Sequence, residues 1–271
     1  LAMSKDKNVL SIPMVRHMIL NSIRGYVHKF KYDYPGEVVI CVDGPDPWRR
    51  DIFEQYKAKR REGRNNDDRD WESVFGLIHT IKEEIRDNFP YKVVQLDKVE
   101  ADDIIAIICK KNHDKKILIV SGDKDFQQLQ KYPNVFQYSP TQKKFVETDS
   151  PQEYIYEHIL KGDTSDGIPN FLSPDDTFVN KIKQKPVSKK KLTGWIDSLM
   201  RGNDPQDFCN EYHYRNYQRN QRLIDFDYIP DDIQTDIYKE YEKATITSRS
   251  KILPYMIKND LKELIGKIEE F

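Results

Sequence analysis

Eight carboxylates occur at positions that a folded chain could bring to one point. They form four short groups, each following an apolar run or opening a predicted helix: Asp43; Glu100, Asp102 and Asp103; Asp123 and Asp125; Asp163 and Asp166. Carboxylates packed that closely raise one another's pKa unless positive charge lies between them. Hard divalent cations, which bind oxygen ligands, supply such charge. The pattern therefore predicts a pair of divalent cations, an arrangement typical of enzymes that hydrolyse phosphodiester bonds.

Positive and negative charges are separated along the chain. The 271 residues carry a formal net charge of only −1. Residues 48–64, however, contain seven Lys or Arg against three acids, and residues 181–191 contain six Lys and no acid. Separated signs fit a protein that binds anions on one surface and cations in a pocket. Taken alone, either basic run could also be an ordinary solvent-exposed face.

The cysteines and the apolar runs indicate where such a protein would work. Cys41, Cys109 and Cys209 form no recognisable disulfide framework, which favours a reducing compartment. No apolar run approaches the roughly 18 residues expected of a membrane span, and no signal peptide is visible. We therefore expect a cytoplasmic location and no membrane partner.

The order of apolar runs predicts an α/β domain followed by a helical one. Strands are predicted over residues 37–42, 91–96, 116–120 and 135–138, with a hairpin-like addition over 144–147. Between them, helices are predicted over residues 13–30, 48–61, 69–88 and 98–111, and from about 125. Strands that alternate with helices indicate a parallel sheet with crossover helices.

After residue 150 the strand signals end. Helices are predicted over residues 151–160, 189–200, 204–222, 231–243 and 255–268, and a loop over 168–186. The predicted domains are therefore residues 1–150, an α/β metal-dependent domain, and residues 151–271, an all-helical domain.

In a parallel sheet, functional groups collect at the carboxyl ends of the strands. Asp43 and Asp123 each follow a predicted strand, and Glu100 and Asp103 share one face of the helix after the second strand. Asp102 points about a third of a turn away and could reach a second metal. No His or Cys cluster has zinc-like spacing, so an oxygen-only site for Mg²⁺ or Mn²⁺ is predicted. Each piece taken singly could also be an ordinary turn or helix cap.

The basic segment after Asp43 supplies candidate ligands for phosphate. At helical spacing one face carries Arg49, Tyr56, Lys57 and Arg60, with Arg50 and Lys59 beside them. Cations there could stabilise charge on a phosphate, and the aromatic ring could stack on a base.

A second candidate phosphate site lies in residues 161–169. The backbone N–H groups of Gly162 and Gly167 could bind a phosphate, while Asp163 and Asp166 could complete a metal site from outside the sheet.

These motifs together resemble the 5′-nuclease superfamily of flap endonucleases and polymerase-associated 5′-exonucleases, and within it the ribonucleases H of T-even-type bacteriophages. The resemblance spans almost the whole chain and rests on PMVRHMILNSI at 13–23, WRRD at 48–51, VEADDIIA at 99–106, VSGDKDFQQL at 120–129, KYPNVFQYSP at 131–140, ILKGDTSD at 159–166 and LIDFDYIPDDI at 223–233. It implies a PIN-like nuclease domain followed by a helical region with a helix–three-turn–helix motif that grips duplex DNA.

The resemblance also implies the roles of the site residues. A first Mg²⁺ would be bound by Asp43, Glu100, Asp102 and Asp123. A second would be bound by Asp125, Asp163 and Asp166, with Asp103 in support, and Mn²⁺ could substitute. Arg49 and Lys57 match the basic residues that engage the substrate phosphate.

The resemblance further implies an activity and its partners. It implies a monomeric 5′-to-3′ exonuclease and flap endonuclease in the host-cell cytoplasm. This enzyme would remove RNA primers and adjacent DNA during phage replication. Its substrates would be RNA–DNA hybrids and 5′-tailed duplex DNA, and its partners a single-strand-binding protein and a sliding clamp.

The chain departs from the family pattern in two places. The family's first strand, with its metal-binding Asp, precedes the helix matched by residues 13–30, whereas this sequence begins at Leu1 without it. The turn at residues 166–170 reads DGIPN where relatives often read DNIPG, so a monovalent-ion site is not implied.

Two other functions stay open at this point. A missing ligand would fit a DNA-structure-binding protein without catalysis. A Toprim-type or PIN-type metal domain also places two acids after a strand, but the basic segment and the helical second half argue against it.

Overall fold

The computed structural model describes residues 11–67 and 70–271. The helices are α1 Ile12–Phe30, α2 Arg49–Ile52, α3 Ala58–Asn65, α4 Trp71–Asn88, α5 Ala101–Lys111, α6 Pro151–Lys161, α7 Lys189–Met200, α8 Glu211–Ile224, α9 Asp231–Lys243, α10 Ile252–Lys258 and α11 Lys262–Ile265. The strands are β1 Val38–Cys41, β2 Tyr91–Val94, β3 Ile117–Val120, β4 Val135–Ser139 and β5 Lys144–Val146. Short 3₁₀ helices cover Asp125–Lys131, Pro205–Asp207, Phe226–Tyr228, Arg249–Lys251 and Ile268–Glu270. Leu1 and Arg69, the predicted chain start and helix start, lie outside the described residues.

Strand pairing confirms the mixed α/β class. β1 pairs in parallel with β2, and β3 pairs in parallel with β4, while β5 adds to β4 in the antiparallel direction. The strands predicted to form one parallel sheet instead form two separate sheets in the described part of the chain, β1–β2 and β3–β4–β5. The reason is that the four-residue ladders of β1–β2 and of β3–β4 are joined by no hydrogen-bonded strand among the described residues.

The chain divides into two compact units that do not follow the sequence order. One unit contains the described residues up to Val42 together with Asn66–Val94 and Glu240–Phe271, and the other contains Asp43–Asn65 and Gln95–Lys239. The boundary near residue 150, which separates an α/β half from a helical half, stays a prediction. No helix within the described ranges combines the length and apolar character needed to cross a bilayer.

The first unit is built around β1, β2 and the helices α1, α4, α10 and α11. Ile81 and Ile85 lie four residues apart on α4 and so share one buried face, and Phe89 and Tyr91 stack at the start of β2 with ring centroids 5.9 Å apart. Its fully or nearly fully buried core comprises Leu20, Ile81, Ile85, Phe89, Tyr91, Val93, Ile252, Tyr255, Met256, Leu261, Leu264 and Phe271.

The second unit has a core formed chiefly by α6, α7 and α8. Its buried apolar side chains are Phe53, Tyr56, Ile155, Ile159, Leu160, Ile168, Phe171, Ile196, Leu199, Tyr217, Leu223 and Ile224. Asn216 and Asn220 of α8 are fully buried and donate their amide hydrogens to backbone carbonyls, at Phe171 and Ser173 and at Ile159 and Pro169 respectively. The predicted loop over residues 168–186 is therefore fixed to α8 by side-chain hydrogen bonds, which satisfy carbonyls that no secondary structure pairs.

The prediction of one continuous helix over residues 48–61 is wrong, because the chain leaves the helical conformation between α2 and α3. α2 ends at Ile52, and Lys57 has a left-handed backbone with φ of 55°. The N–H of Lys57 donates to the carbonyl of Asp166 at 2.7 Å instead of continuing a helix. A partner more than one hundred residues away therefore decides this local conformation. Three other predicted helices also differ from the structure. The helix from residue 125 is a 3₁₀ helix, the helix over 204–222 is divided into a 3₁₀ turn and α8, and the helix over 255–268 is divided into α10 and α11.

Candidate metal and phosphate site

Asp43 lies at the amino end of α5 because of a tight turn. The N–H of Gly44 donates to the carbonyl of Val99 at 2.7 Å, and a Cβ on Gly44 would lie 1.8 Å from the carbonyl oxygen of Leu96. Only glycine fits there. The turn lets Asp43 Oδ1 accept the N–H of Ala101, the first residue of α5, at 2.8 Å.

Two acidic residues, Glu100 and Asp103, cap the first turn of α5. Glu100 is the N-cap, and its side chain and that of Asp103 each accept a hydrogen bond from the other's backbone N–H, which is a capping box. Arg49 Nη1 contacts both carboxylates, at 2.9 Å from Glu100 and 2.8 Å from Asp103, while Nη2 lies 2.7 Å from Asp103. Arg49 Nε donates to the carbonyl of Leu223 at 2.8 Å.

This network does not fit the phosphate-binding role predicted for Arg49, and it fits the supporting role predicted for Asp103. Arg49 is 3% exposed and all three of its guanidinium nitrogens are bonded within the protein, so it does not present itself to a substrate phosphate. Asp103 is fully buried and accepts from Arg49 and from the Trp48 indole N–H at 3.0 Å. Its negative charge is therefore already balanced, which fits support of the site better than direct binding of a metal.

Tyr56 and Lys57 link two of the acidic groups. The hydroxyl of Tyr56 lies 2.9 Å from Glu100 and 3.0 Å from Asp166. Lys57 Nζ donates to Glu100 and lies 3.6 Å from Asp166, and Arg60 pairs with Asp166 at 2.6 Å. Tyr56 is only 3% exposed, so the expectation that its ring stacks on a base does not hold in this structure. The burial of Tyr56 could not be predicted from the sequence, because the prediction treated residues 48–61 as one continuous, exposed helix.

Arg50 and Lys59 lie away from the acidic groups. Arg50 pairs with Asp46 at 2.6 Å on the surface, and the Lys59 ammonium lies over the Phe178 ring, 4.4 Å from its centroid.

Asp102 and Asp125 are the carboxyls of the site whose negative charge is most strongly disfavoured by their surroundings, as their raised pKa values indicate. Burial first, and then the charges of Asp123, Glu100 and Asp43, raise the pKa of Asp102 to about 7. Burial first, and then the charges of Asp123 and other neighbouring acids, raise the pKa of Asp125 to about 6 although His158 opposes the shift. Asp123 acts on both, so the acidic groups lie close enough to influence one another.

The loop after α6 holds Asp163 and Asp166 by closing on itself. Gly162 has φ of 67°, and a Cβ there would lie 2.4 Å from the carbonyl oxygen of Ile168. Asp163 Oδ1 accepts both the N–H and the hydroxyl of Ser165 at 2.7 Å. Burial opposes this, but bonds from His158 and Ser165 hold the pKa of Asp163 well below its usual range.

The two glycines of this loop do not offer free donors. The N–H of Gly162 donates to the carbonyl of His158 at 2.8 Å, and that of Gly167 donates to Thr164 at 3.3 Å. The expectation that they bind a phosphate does not fit this geometry, because turn closure uses both N–H groups.

One site residue was missed at the level of sequence. His158 lies in the last turn of α6, with Nδ1 at 3.3 Å from Asp125 and Nε2 at 3.6 Å from Asp163. These three residues each offer a ligand atom, and the three atoms lie within 4.8 Å of one another. His158 thus adds a nitrogen atom to a cluster for which only oxygen ligands were predicted, and the oxygen-only site stays a prediction. The only available signal was the spacing of His158 five residues before Asp163.

A small cavity of about 20 Å³ lies among these residues, enough to hold a water molecule or small cation. Its lining residues are Arg49, Tyr56, Glu100, Asp102, Asp125, Asp163, Asp166, Ile168, Leu223, Ile224 and Phe226. Carboxylates crowded at a cavity, with the pKa of Asp102, Asp125 and Asp166 raised, are a donor set that a divalent cation would stabilise. The residues present therefore fit a metal site.

Two family models match the chain. One, described as "5′-3′ exonuclease, N-terminal resolvase-like domain", matches residues 3–158, and another, described as "T4 RNase H, C terminal", matches residues 149–271. The structure of T5 5′-exonuclease with bound zinc has a similar fold, with a TM-score of 0.59 at 16% identity over 88% of this chain and 93% of that one.

Curated relatives agree with the family models. Ribonuclease H of Enterobacteria phage T4 is 38% identical over 275 residues, which cover 98% of this chain and 89% of the relative. A 5′-3′ exonuclease of Buchnera aphidicola subsp. Baizongia pistaciae is 33% identical over 114 residues, 41% of this chain and 34% of the relative. These matches confirm the resemblance drawn from the motifs: the chain belongs to the 5′-3′ exonuclease family, in the branch that contains phage T4 ribonuclease H.

Proposed function

We propose that this protein is a Mg²⁺-dependent 5′ nuclease that hydrolyses phosphodiester bonds at the 5′ ends of RNA–DNA hybrids and 5′-tailed duplex DNA. The observation that carries the proposal is the meeting of acidic groups from three separate stretches at one cavity, directly beside Lys57 and Arg60. Anionic ligands for metals next to cations for phosphate are what two-metal hydrolysis requires. Family membership supports the same activity.

The acidic groups would hold two cations between them. Asp43, Asp102 and Asp123 would form one ligand set, with Glu100 shared between it and the basic segment. Asp125, Asp163 and Asp166 would contribute to the other. When bound, such a pair lowers the pKa of a water molecule and stabilises the leaving oxygen.

The basic side chains divide into two roles under this proposal. Lys57 is 16% exposed and Arg60 is 48% exposed in their side chains, so both can turn from Asp166 to a phosphate without unfolding the site. Arg49 instead positions Glu100 and α5. Asp103 supports this arrangement by pairing with Arg49 in the protein interior.

The finer features follow from the resemblance and belong to the proposal. The helical region after residue 150, with a helix–three-turn–helix motif, would bind duplex backbone, and the exposed lysines of residues 181–191 would add attraction for phosphate. The protein would act as a monomer on RNA primers and adjacent DNA. A single-strand-binding protein and a sliding clamp would be its partners.

The Asp123→Asn variant tests the proposal. The charge of Asp123 raises the pKa of both Asp102 and Asp125, so its carboxylate lies near both. We expect the variant to bind a 5′-tailed duplex but to lose Mg²⁺-dependent cleavage, measured with an end-labelled substrate. Asp114→Asn, which changes an exposed turn residue, is the matched control and should cleave normally.

Two results would contradict the proposal. Full cleavage by Asp123→Asn would show that this carboxylate takes no part in the chemistry. Binding that weakens steeply with salt, without turnover by the unmodified protein in Mg²⁺ or Mn²⁺, would instead favour a DNA-structure-binding protein.

A further inference from the structure

His158 places a nitrogen ligand inside a cluster that is otherwise made of carboxylates. Its two ring nitrogens face two different acids, with Nδ1 at 3.3 Å from Asp125 Oδ1 and Nε2 at 3.6 Å from Asp163 Oδ2. The side chain is 15% exposed. Within the described residues, Nδ1 is buried and has no hydrogen-bond partner of good geometry. Such an atom needs either a proton shared with a carboxylate or a cation.

The distance to Asp125 fits two atoms bound to one ion. Ligand nitrogen and oxygen atoms at about 2.1 Å from a transition metal lie roughly 3.0–3.4 Å apart when they are neighbours around it. The 3.3 Å between Nδ1 and Asp125 falls in this range. The opposite nitrogen then faces Asp163, and a carboxylate on the second nitrogen is the usual partner of a metal-binding histidine.

α6 fixes this arrangement from one side. Tyr154 and His158 are four residues apart on the helix and therefore lie on the same face. Their rings meet edge to face with centroids 5.7 Å apart, and the Tyr154 hydroxyl donates to Asp125 at 3.3 Å. Tyr154 thus contacts both members of the pair, which limits how far either can rotate.

We propose that His158 is a direct ligand in the metal site of Asp125 and Asp163, and that it shifts this site from Mg²⁺ towards transition-metal ions such as Co²⁺ and Zn²⁺, with Mn²⁺ between these ions and Mg²⁺. Imidazole nitrogen suits Co²⁺ and Zn²⁺, whereas Mg²⁺ prefers oxygen and keeps its waters. The inference rests on the proposed metal-dependent function. It adds that the two metal positions differ in chemistry, because the Asp43, Asp102 and Asp123 set contains only oxygen ligands.

Direct observation of the metal–nitrogen bond tests the inference without reference to catalysis. Pulsed electron paramagnetic resonance of bound Mn²⁺ detects coupling to a ligand nitrogen. We expect this coupling in the unmodified protein and its loss in His158→Gln, which keeps a polar side chain of similar length. Titration calorimetry should show Mn²⁺ affinity at one site falling by about tenfold or more in the variant, with a much smaller change for Mg²⁺.

His213→Gln is the control, because His213 lies on α8 and contacts Phe171 and Tyr212 instead of the acids. It should retain the nitrogen signal. Coupling that persists in His158→Gln, or an all-oxygen signal in the unmodified protein, would overturn the inference.

The inference and the proposed function can fail separately. An all-oxygen Mn²⁺ signal in a protein that cleaves 5′-tailed duplex would remove His158 from the metal site and leave the function standing. A nitrogen signal that depends on His158, in a protein that does not cleave, would do the reverse. Failure to bind any Mn²⁺ would overturn both.

Discussion

Arg49 donates hydrogen bonds to both carboxylate oxygens of Asp103, at 2.7 and 2.8 Å, and the two side chains are almost fully buried. The same guanidinium reaches Glu100 and the carbonyl at the end of α8. Arg49 therefore joins the amino end of α5, which carries Glu100 and Asp103, to the carboxyl end of a helix more than one hundred residues later. The geometry of the site depends on this side chain even though it does not face the cavity as a free cation.

Replacing Arg49 by Ala should destabilise the protein strongly. The change leaves Asp103 charged and buried without its partner, and breaking such a pair typically costs about 3–5 kcal/mol. The free energy of unfolding measured with urea should fall by that amount. Arg50→Ala removes a surface pair with Asp46 and should cost only about 0–1 kcal/mol. Equal losses in the two variants would contradict a structural role for Arg49.

Lys57 and Lys59 should differ sharply in their effect on cleavage. Lys57 contacts Glu100 and Asp166, whereas Lys59 lies over Phe178. Removing a donor that stabilises charge in the reaction typically costs about 10²–10³ in rate. We expect the single-turnover cleavage rate of Lys57→Ala to fall by that factor. The rate of Lys59→Ala should change only as much as the loss of one surface charge would cause. The opposite order would place the phosphate elsewhere along the segment.

Asp102→Asn should stabilise the protein while removing its activity. At pH 8, above the pKa of about 7 for this carboxyl, the metal-free protein carries a half-buried negative charge among other acids. An amide removes that repulsion, and a gain of ~1 kcal/mol would raise Tm by about 2–4 °C in a protein of this size. Thermal melts with and without Mg²⁺ check this, since the variant should also gain less from Mg²⁺. A lower Tm without metal would show that Asp102 is balanced by charge within the protein.

Alanine substitutions at Gly162 and Gly202 distinguish the cost of backbone strain from the cost of steric overlap. Both have positive φ, 67° and 84°, but a Cβ on Gly202 would meet nothing within 4 Å, whereas one on Gly162 would meet two carbonyl oxygens at 2.4 and 2.5 Å. Gly202→Ala should cost only the roughly 1–2 kcal/mol of a left-handed residue. Gly162→Ala should cost clearly more and should also reduce cleavage, because the Asp163 loop must move. Urea unfolding and cleavage assays on the pair measure both effects, and identical costs would contradict the close approach.

The sequence was informative wherever a local pattern governs the structure. Apolar runs gave β1, β2, β3 and β4 to within a residue or two, and the acids that follow them are indeed brought near one another. The fold class could be predicted because strands that alternate with helices leave few topologies.

Three features depended on contacts that no local pattern contains. The break at Lys57 arises from its bond to Asp166, and the burial of Arg49 arises from Asp103 and the Leu223 carbonyl. A sequence pattern treats both cations as exposed because it cannot see partners far along the chain. His158 was overlooked because its spacing of five residues before Asp163 is a weak signal by itself, and Asp125 approaches it only in the folded chain.

Besides the side-chain contact described above, Lys57 and Asp166 are joined by a main-chain hydrogen bond, N–H to carbonyl, at 2.7 Å. Hydrogen bonds of this kind do not depend on which side chain the residue carries. The cations at positions 57 and 60 can therefore be exchanged for neutral, shorter or unnatural groups while the acidic loop keeps its anchor. The charge of this segment can thus be changed without removing its main-chain link to the acidic loop.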